Sequence, residues 1–436
     1  MRPAPEAGDK PFTDGVAGPD PQDVWAAELA LVGNRVERDV VIRAHAGIIT
    51  SVEPGGVVPP FARRRAGLTL PGLVNDHSHA FHRALRGTTG GRDFWGWRRQ
   101  MYEVAARLDP DSYLALARAV YREMLLAGIV HVCEFHYLHQ PTGMDDAVIE
   151  AAAQAGIGLT FLDACYLRSG FGAEPLDAVQ QRFCDGDVDG WWERGAAVRA
   201  RHPDVVFGAA IHSVRAVDAR SMARLAEGWN GPLHLHLSEQ PEENHACLAA
   251  TGSTPAQLCA DAGVLSPRTT VVHATHVTDA DIGRLAAASC GVCLCPTTER
   301  DLADGVGPAS ALVTAGCRLS LGSDSHAVVD LFEEARAVEM DERLATGRRG
   351  VHDPGDLLAA ACGGRMLAPG QPADLGSVAL DSTRLAGFDP DRGAAWVVLA
   401  ATAADVGHVV AGGRPVDLDP AEVGAELRAA LAAVRA

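Results

Sequence analysis

From about residue 68 onward, short apolar runs of β character alternate with amphipathic helical stretches. The runs are LTLPGLVNDHSH (68–79), AGIVHVCEFHY (127–137), IGLTFLDACY (157–166), VVFGAAIHS (205–213), PLHLHLSE (232–239), TTVVHATHV (269–277), CGVCLCPTT (290–298) and CRLSLGSDS (317–325). Between them lie PDSYLALARAVYREMLLA, MDDAVIEAAAQA and AVVDLFEEARAVEMDERL, whose apolar residues recur at helical spacing. Strands alternating with helices imply parallel β/α units, and eight of them make an α/β fold of the (β/α)8 TIM-barrel type. Before residue 68, VWAAELALVGNRVERDVVIRAHAGIITSVEPG reads as short strands joined by tight turns, and ARRR (62–65) as a solvated turn. After 365, ADLGSVALD, AAWVVLAA and VGHVVAGGRPV read as β again, and AEVGAELRAALAAVRA as a closing helix. The expected organisation is a tail and half of a small β-sandwich over 1–69, the barrel over 70–364, and the other half-sandwich with the helix over 365–436. Residues 1–22, rich in Pro, Gly and Asp, read as a loose tail.

Polar residues sit at the ends of these strands. The first ends at His77 and His79; the second at Glu134, His136, Tyr137 and His139. Others end at His212 and Arg215, at His234, His236, Glu239 and Gln240, at His273 and His276, and at Asp324 and His326. In a barrel these ends share one mouth, the C-terminal face where active sites lie. Alternate residues of a strand share a face, so HSH offers two imidazoles side by side. With His236 and Asp324 they form an N/O set suited to zinc, leaving a position for water. His234 shares a face with His236 and is the competing ligand. His276, His326, His136 and His139 suit a role orienting the ligands, and His212 one bracing the substrate loop.

Composition narrows the chemistry. The net charge is −18, from 38 Lys+Arg against 56 Asp+Glu, which argues against a nucleic-acid or anionic-membrane partner. The one lysine is Lys10, so no Schiff base, pyridoxal anchor or Walker loop can be built in the body of the chain. Cations that position a substrate are therefore arginines, whose forked geometry suits carboxylates. The ten cysteines are scattered, and CGVCLC lacks a second pair with zinc-site spacing, so these read as buried structural thiols. The opening residues carry no hydrophobic core of a secretory signal, and no long uncharged apolar run occurs; the expectation is a cytoplasmic protein with reduced thiols.

Taken together, PGLVNDHSHAFHRALRG, FWGWRRQMY, EFHYLH, HSVRAV, HLHLSEQ, VHATHV, LCPTTERDLADG and GSDSHAVVDLFEEAR resemble the amidohydrolase superfamily and, within it, the formimidoylglutamate deiminases. The resemblance runs from about 70 to 345 and is weaker at the β-rich ends. It implies one divalent metal, usually zinc, held by His77, His79, His236 and Asp324. It implies Glu239 and His273 as the proton-handling pair, with Asp324 also accepting a proton. Arg98, Tyr137 and Arg215 would contact the substrate, with the arginines at its carboxylates. The implied reaction is hydrolytic deimination of N-formimidoyl-L-glutamate to N-formyl-L-glutamate and ammonia, a step of histidine degradation, by a metal-activated water. The implied partners are a small anionic substrate and a second copy of the chain in a homodimer. Two departures stand out. His82, also placed at the substrate, replaces the family's Gln, and the stretch near 362–376 is shorter than usual. His82 keeps open a sister deaminase acting on another carboxylated amidine or guanidine, or on a purine-like ring. It reads equally as a bystander at a helix start. A metal-binding barrel without activity is the third alternative, against which the retained Glu239 argues. FWGW reads as a substrate-facing loop.

Overall fold

A computed structural model describes residues 24–88, 93–172 and 174–435. The tail expected over 1–22, with Lys10, lies outside the described residues. The chain enters as an antiparallel meander, β1 (Val24–Val32), β2 (Arg35–His45) and β3 (Ile48–Pro54). Its turns carry Gly33 and Gly47 at φ 61° and 78°, a left-handed geometry that glycine adopts without cost. β4 (Arg63–Pro71) then pairs parallel with β1, so ARRR begins a strand instead of forming a turn.

Eight parallel strands follow: β5 (Leu73–Ser78), β6 (Ile129–His136), β7 (Gly158–Cys165), β8 (Val206–Ile211), β9 (Leu233–Leu237), β10 (Thr269–His273), β11 (Gly291–Leu294) and β12 (Arg318–Leu321). They pair in sequence order. The seam between β12 and β5 closes just past the strand ends, where Asp324 N donates to His77 O (3.0 Å) and His79 N to Asp324 O (3.2 Å). The fold is thus the expected (β/α)8 barrel. The helix expected at MDDAVIEAAAQA spans Met144–Ala155, capped by Gly156 at φ 79°.

β13 (Leu375–Val378), β14 (Val406–Ala411) and β15 (Arg414–Val416) return to the head of the chain. They give one seven-stranded sheet in the order β15-β14-β13-β4-β1-β2-β3. The sheet folds over on itself: Ile49 N donates to Gln371 O (2.8 Å) and Ala373 N to Gly47 O (2.7 Å). Trp25, Ile42, Ile49, Leu375 and Val410 fill its interior.

Two further readings of the pattern are corrected. LTLPGLVNDHSH is two strands in two sheets, β4 and β5, broken at Gly72. Both halves are buried, so hydropathy does not change where the chain changes sheets. Likewise AAWVVLAA belongs to a helix, Gly393–Ala400. It packs on the helices Leu331–Thr346 and Pro354–Ala361, and Arg336 Nε binds the Val398 carbonyl (3.1 Å). A short, wholly apolar run carries no period to tell helix from strand. The stretch after Ala361 turns through Gly363 and Gly364, at φ 60° and 72°, before reaching β13. No helix among the described residues is long and apolar enough to cross a membrane.

Candidate active site

The strand ends gather four donors. His77 and His79 come from β5, His236 from β9, and Asp324 from just past β12; one ligand atom of each lies within 4.8 Å of every other. His236 Nε2 is 3.1 Å from His77 Nε2 and 3.3 Å from His79 Nε2. Asp324 Oδ1 is 3.4 Å from both His77 and His79 Nε2. The far nitrogens set the tautomers: His79 Nδ1 donates to Phe135 O (2.7 Å) and His236 Nδ1 to His212 O (2.8 Å). Their Nε2 atoms therefore present lone pairs to each other, an arrangement that a shared cation relieves. Burial pushes the imidazolium forms of His79 and His236 far out of reach, so these rings are neutral ligands. Burial alone would raise Asp324, but His77 beside it holds the carboxyl well below its usual range. Three imidazoles and a carboxylate fit a divalent metal. Asp324 sits at φ 39°, a strained conformation that the seam hydrogen bonds hold.

His273 ends β10 beside this set. Its Nε2 lies 3.8 Å from Glu239 Oε1 and 3.7 Å from Asp324 Oδ2, and its Nδ1 lies 3.4 Å from Glu299 Oε1. Burial would lower this imidazole, but Glu239, Glu299 and Asp324 around it drive it well above its ordinary value. Glu239 is pushed up, chiefly by burial. The Glu239 carboxyl and the His273 imidazole, both shifted toward their protonated forms, thus lie 3.8 Å apart. Glu299 escaped the sequence reading. It lies in the short helix Pro296–Asp301 after β11, and only the turn at Cys295, whose N–H it accepts (3.0 Å), brings it back to His273. Asp304 escaped it too: it binds the Gln240 amide, and burial followed by Glu239 pushes it up to about 9.

A cavity opens beside the donors and is lined by all four residues expected at the substrate, His82, Arg98, Tyr137 and Arg215. His82 Nε2 is 2.8 Å from the Tyr137 hydroxyl, and burial depresses His82 to about 3, so it is neutral. Arg98 binds the Tyr102 hydroxyl through Nε (3.2 Å) and Nη2 (2.6 Å) and lies over the Trp95 and Tyr102 rings. Arg215 Nε binds the buried Glu243 (2.9 Å); among the described residues its Nη atoms make no hydrogen bond. FWGW is the first turn of a helix, Phe94–Arg107, capped by Asp93, and not a loop. Phe94 and Trp97 face the cavity, as do Tyr166, Phe183 and His212.

The remaining histidines divide. His234 lies two residues below His236 on β9, outside the donor set. His326 Nε2 meets Ser78 Oγ (3.0 Å), and His276 Nε2 donates to Asp304 O (2.7 Å). His136 and His139 converge on Asp145 at 3.3 and 2.9 Å, but Arg194 fills that cluster, 3.2 Å from Asp145 and 2.5 Å from Asp163. A resident guanidinium leaves no room for a metal there. The ten cysteines are unpaired, and all but Cys184 are buried; Cys295 approaches His273 and Asp324 from within the barrel.

Comparison with known proteins agrees with this geometry. The model of the amidohydrolase family matches residues 68–416. The chain is 35% identical over 394 residues to a formimidoylglutamate deiminase of Pseudomonas aeruginosa, covering 84% of this chain and 86% of that one. It is 30% identical to an 8-oxoguanine deaminase of the same organism, covering 85% and 86%. The crystal structure of an amidohydrolase from Brucella melitensis superimposes with a TM-score of 0.84 at 29% identity, over 95% of this chain and all of that one. A barrel whose strand ends carry this donor set, matched along most of its length, places the chain in the amidohydrolase family, as a hydrolase of C–N bonds.

Proposed function

We propose that the protein deiminates N-formimidoyl-L-glutamate, releasing ammonia and N-formyl-L-glutamate. The observation that carries this reading is the convergence of two arginines, Arg98 and Arg215, on the cavity that also holds His79, His236, Glu239, His273 and Asp324. A substrate with carboxylates at one end and a hydrolysable C=N at the other matches that pairing. The 35% identity to a formimidoylglutamate deiminase supports the same substrate class.

His77, His79, His236 and Asp324 would hold the metal, and the nitrogen-rich donor set favours zinc. A divalent metal there lowers the pKa of a water from 15.7 to about 7. The chain's own groups do the rest. Arg215 and Arg98 grip the carboxylates and fix the reacting carbon, which converts an encounter into an oriented attack. Asp324, held as the carboxylate, takes the proton from the attacking water, and His273, charged between Glu239 and Asp324, stabilises the negative charge that develops on the attacking oxygen. Glu239 delivers a proton to the departing nitrogen. Such proton transfer contributes roughly 10²–10⁴-fold. Phe94, Trp97 and Phe183 keep bulk water from the reacting carbon.

The test is ammonia release from N-formimidoyl-L-glutamate, from a guanidino acid and from guanine. His273→Ala should retain its metal and lose at least about 10²-fold in kcat. Normal turnover in that variant, or preference for another of the three compounds, would sink the assignment. The second reading, a deaminase of a planar ring, is favoured by one feature: His82 and the aromatic walls would stack a purine-like substrate. Preference for guanine would establish it.

A further inference from the structure

Ser78 stands between His77 and His79 and points away from the donor set. Its Oγ donates to Glu134 Oε2 at 2.6 Å, and the other oxygen of the same carboxyl accepts Ala80 N at 2.6 Å. Glu134 thus clamps the residues on either side of His79. The Ser78 hydroxyl has one proton, already given to Glu134, so His326 Nε2 at 3.0 Å must donate to it. His326 lies two residues beyond Asp324, and its N–H binds Ser323 O (2.8 Å). Glu134 and Ser78 are fully buried, as is His326. On the next residue of β6, the Phe135 carbonyl holds His79 Nδ1. One triangle of buried side chains therefore ties together three segments: β5, which carries His77 and leads into His79, β6, and the stretch beyond β12 that carries Asp324. It does so at the seam where the barrel closes through a strained Asp324 backbone.

We infer that Glu134, acting through Ser78 and His326, is the positioning residue that sets the affinity of the His77–His79–His236–Asp324 site for its metal. Glu134 touches neither substrate nor metal. It fixes the direction in which His79 presents Nε2 and the height of β5 against Asp324. Removing the carboxyl leaves Ala80 N–H and Ser78 Oγ–H without acceptors in a dry interior, and the 77–80 segment re-pairs at the expense of the ligand geometry. Outer partners of this kind are worth 10–100-fold in metal affinity.

The experiment measures zinc affinity of the full chain by competition with a chromophoric chelator, and the thermal midpoint of the metal-free protein. Glu134→Ala should weaken zinc binding by about 10–100-fold. Glu134→Gln should restore it to within about threefold: its carbonyl accepts Ala80 N–H, its amide donates to Ser78, and His326 exchanges tautomer. Ser78→Ala, which loses two of the three bonds and changes no charge, should weaken zinc severalfold and serves if Glu134→Ala does not fold. A role confined to stability would lower the metal-free midpoint and leave zinc affinity where it was. Unchanged zinc affinity in Ser78→Ala, and in Glu134→Ala if folded, overturns the inference. This inference rests on the metal-site reading, but the two fail differently. A native chain that binds no zinc overturns both; one that binds zinc indifferently to these variants overturns the brace alone.

Discussion

The resemblance leads one to expect Gln where this chain has His82, and the structure gives that imidazole a neighbour. Its Nε2 is engaged with Tyr137, while its Nδ1, buried against Trp97 and His79, has no partner among the described residues. A neutral imidazole offers one donor and one acceptor in a fixed plane; an amide offers two of each and turns more freely. His82→Gln should therefore keep Tyr137 satisfied and bind the formimidoyl end more fully. We expect kcat/KM for N-formimidoyl-L-glutamate to rise severalfold, with zinc content unchanged. An unaltered kcat/KM would make His82 a bystander. At this scale much of the site was legible, because HSH, HLHLSE and GSDS place polar residues at the ends of apolar strands. Glu299 and Asp304 were not legible. Their approach to His273 and Gln240 depends on a turn and a short helix after β11, and no local period announces such a return.

Among the elements, Gly72 shows what a hydropathy pattern cannot express. It separates β4 from β5 inside one continuous apolar run, and the chain there passes against β6. A Cβ at Gly72 would lie 2.4 and 2.8 Å from the two methyls of Val130, a side chain only 1% exposed and unable to move aside. Gly72→Ala should cost about 1–3 kcal/mol, the range for an overpacked core, read as a lower urea midpoint with an unchanged slope. An unshifted midpoint would mean that β5 and β6 part readily at their N-terminal ends. The same limitation explains AAWVVLAA. Apolar on every side, it satisfies a strand and a buried helix equally, and only the helices it packs on decide. Stretches with a polar face, such as MDDAVIEAAAQA, were placed correctly because their period is visible.

For the whole molecule, the metal site and the barrel's closure are the same place. His77 and His79 lie on β5, His236 on β9, and Asp324 beyond β12; the backbone of Asp324 makes the last hydrogen bonds of the ring. An ion held by these four side chains ties strands on different sides of the barrel and offsets the repulsion of the His79 and His236 lone pairs that otherwise face one another at 3.3 Å. A ligand that binds only the folded state stabilises it by RT ln(1 + [L]/Kd), about 4 kcal/mol at a thousandfold excess over Kd. Stripping the protein with a chelator should lower its thermal midpoint by a few degrees, and added zinc should restore it. His77→Asn, which removes one imidazole from the set, should show the lower midpoint from the start and no longer respond to either treatment. If the native chain melts at one temperature with and without the chelator, the four residues do not hold an ion that matters to the fold. The facing lone pairs must then be relieved by proton sharing within the cluster.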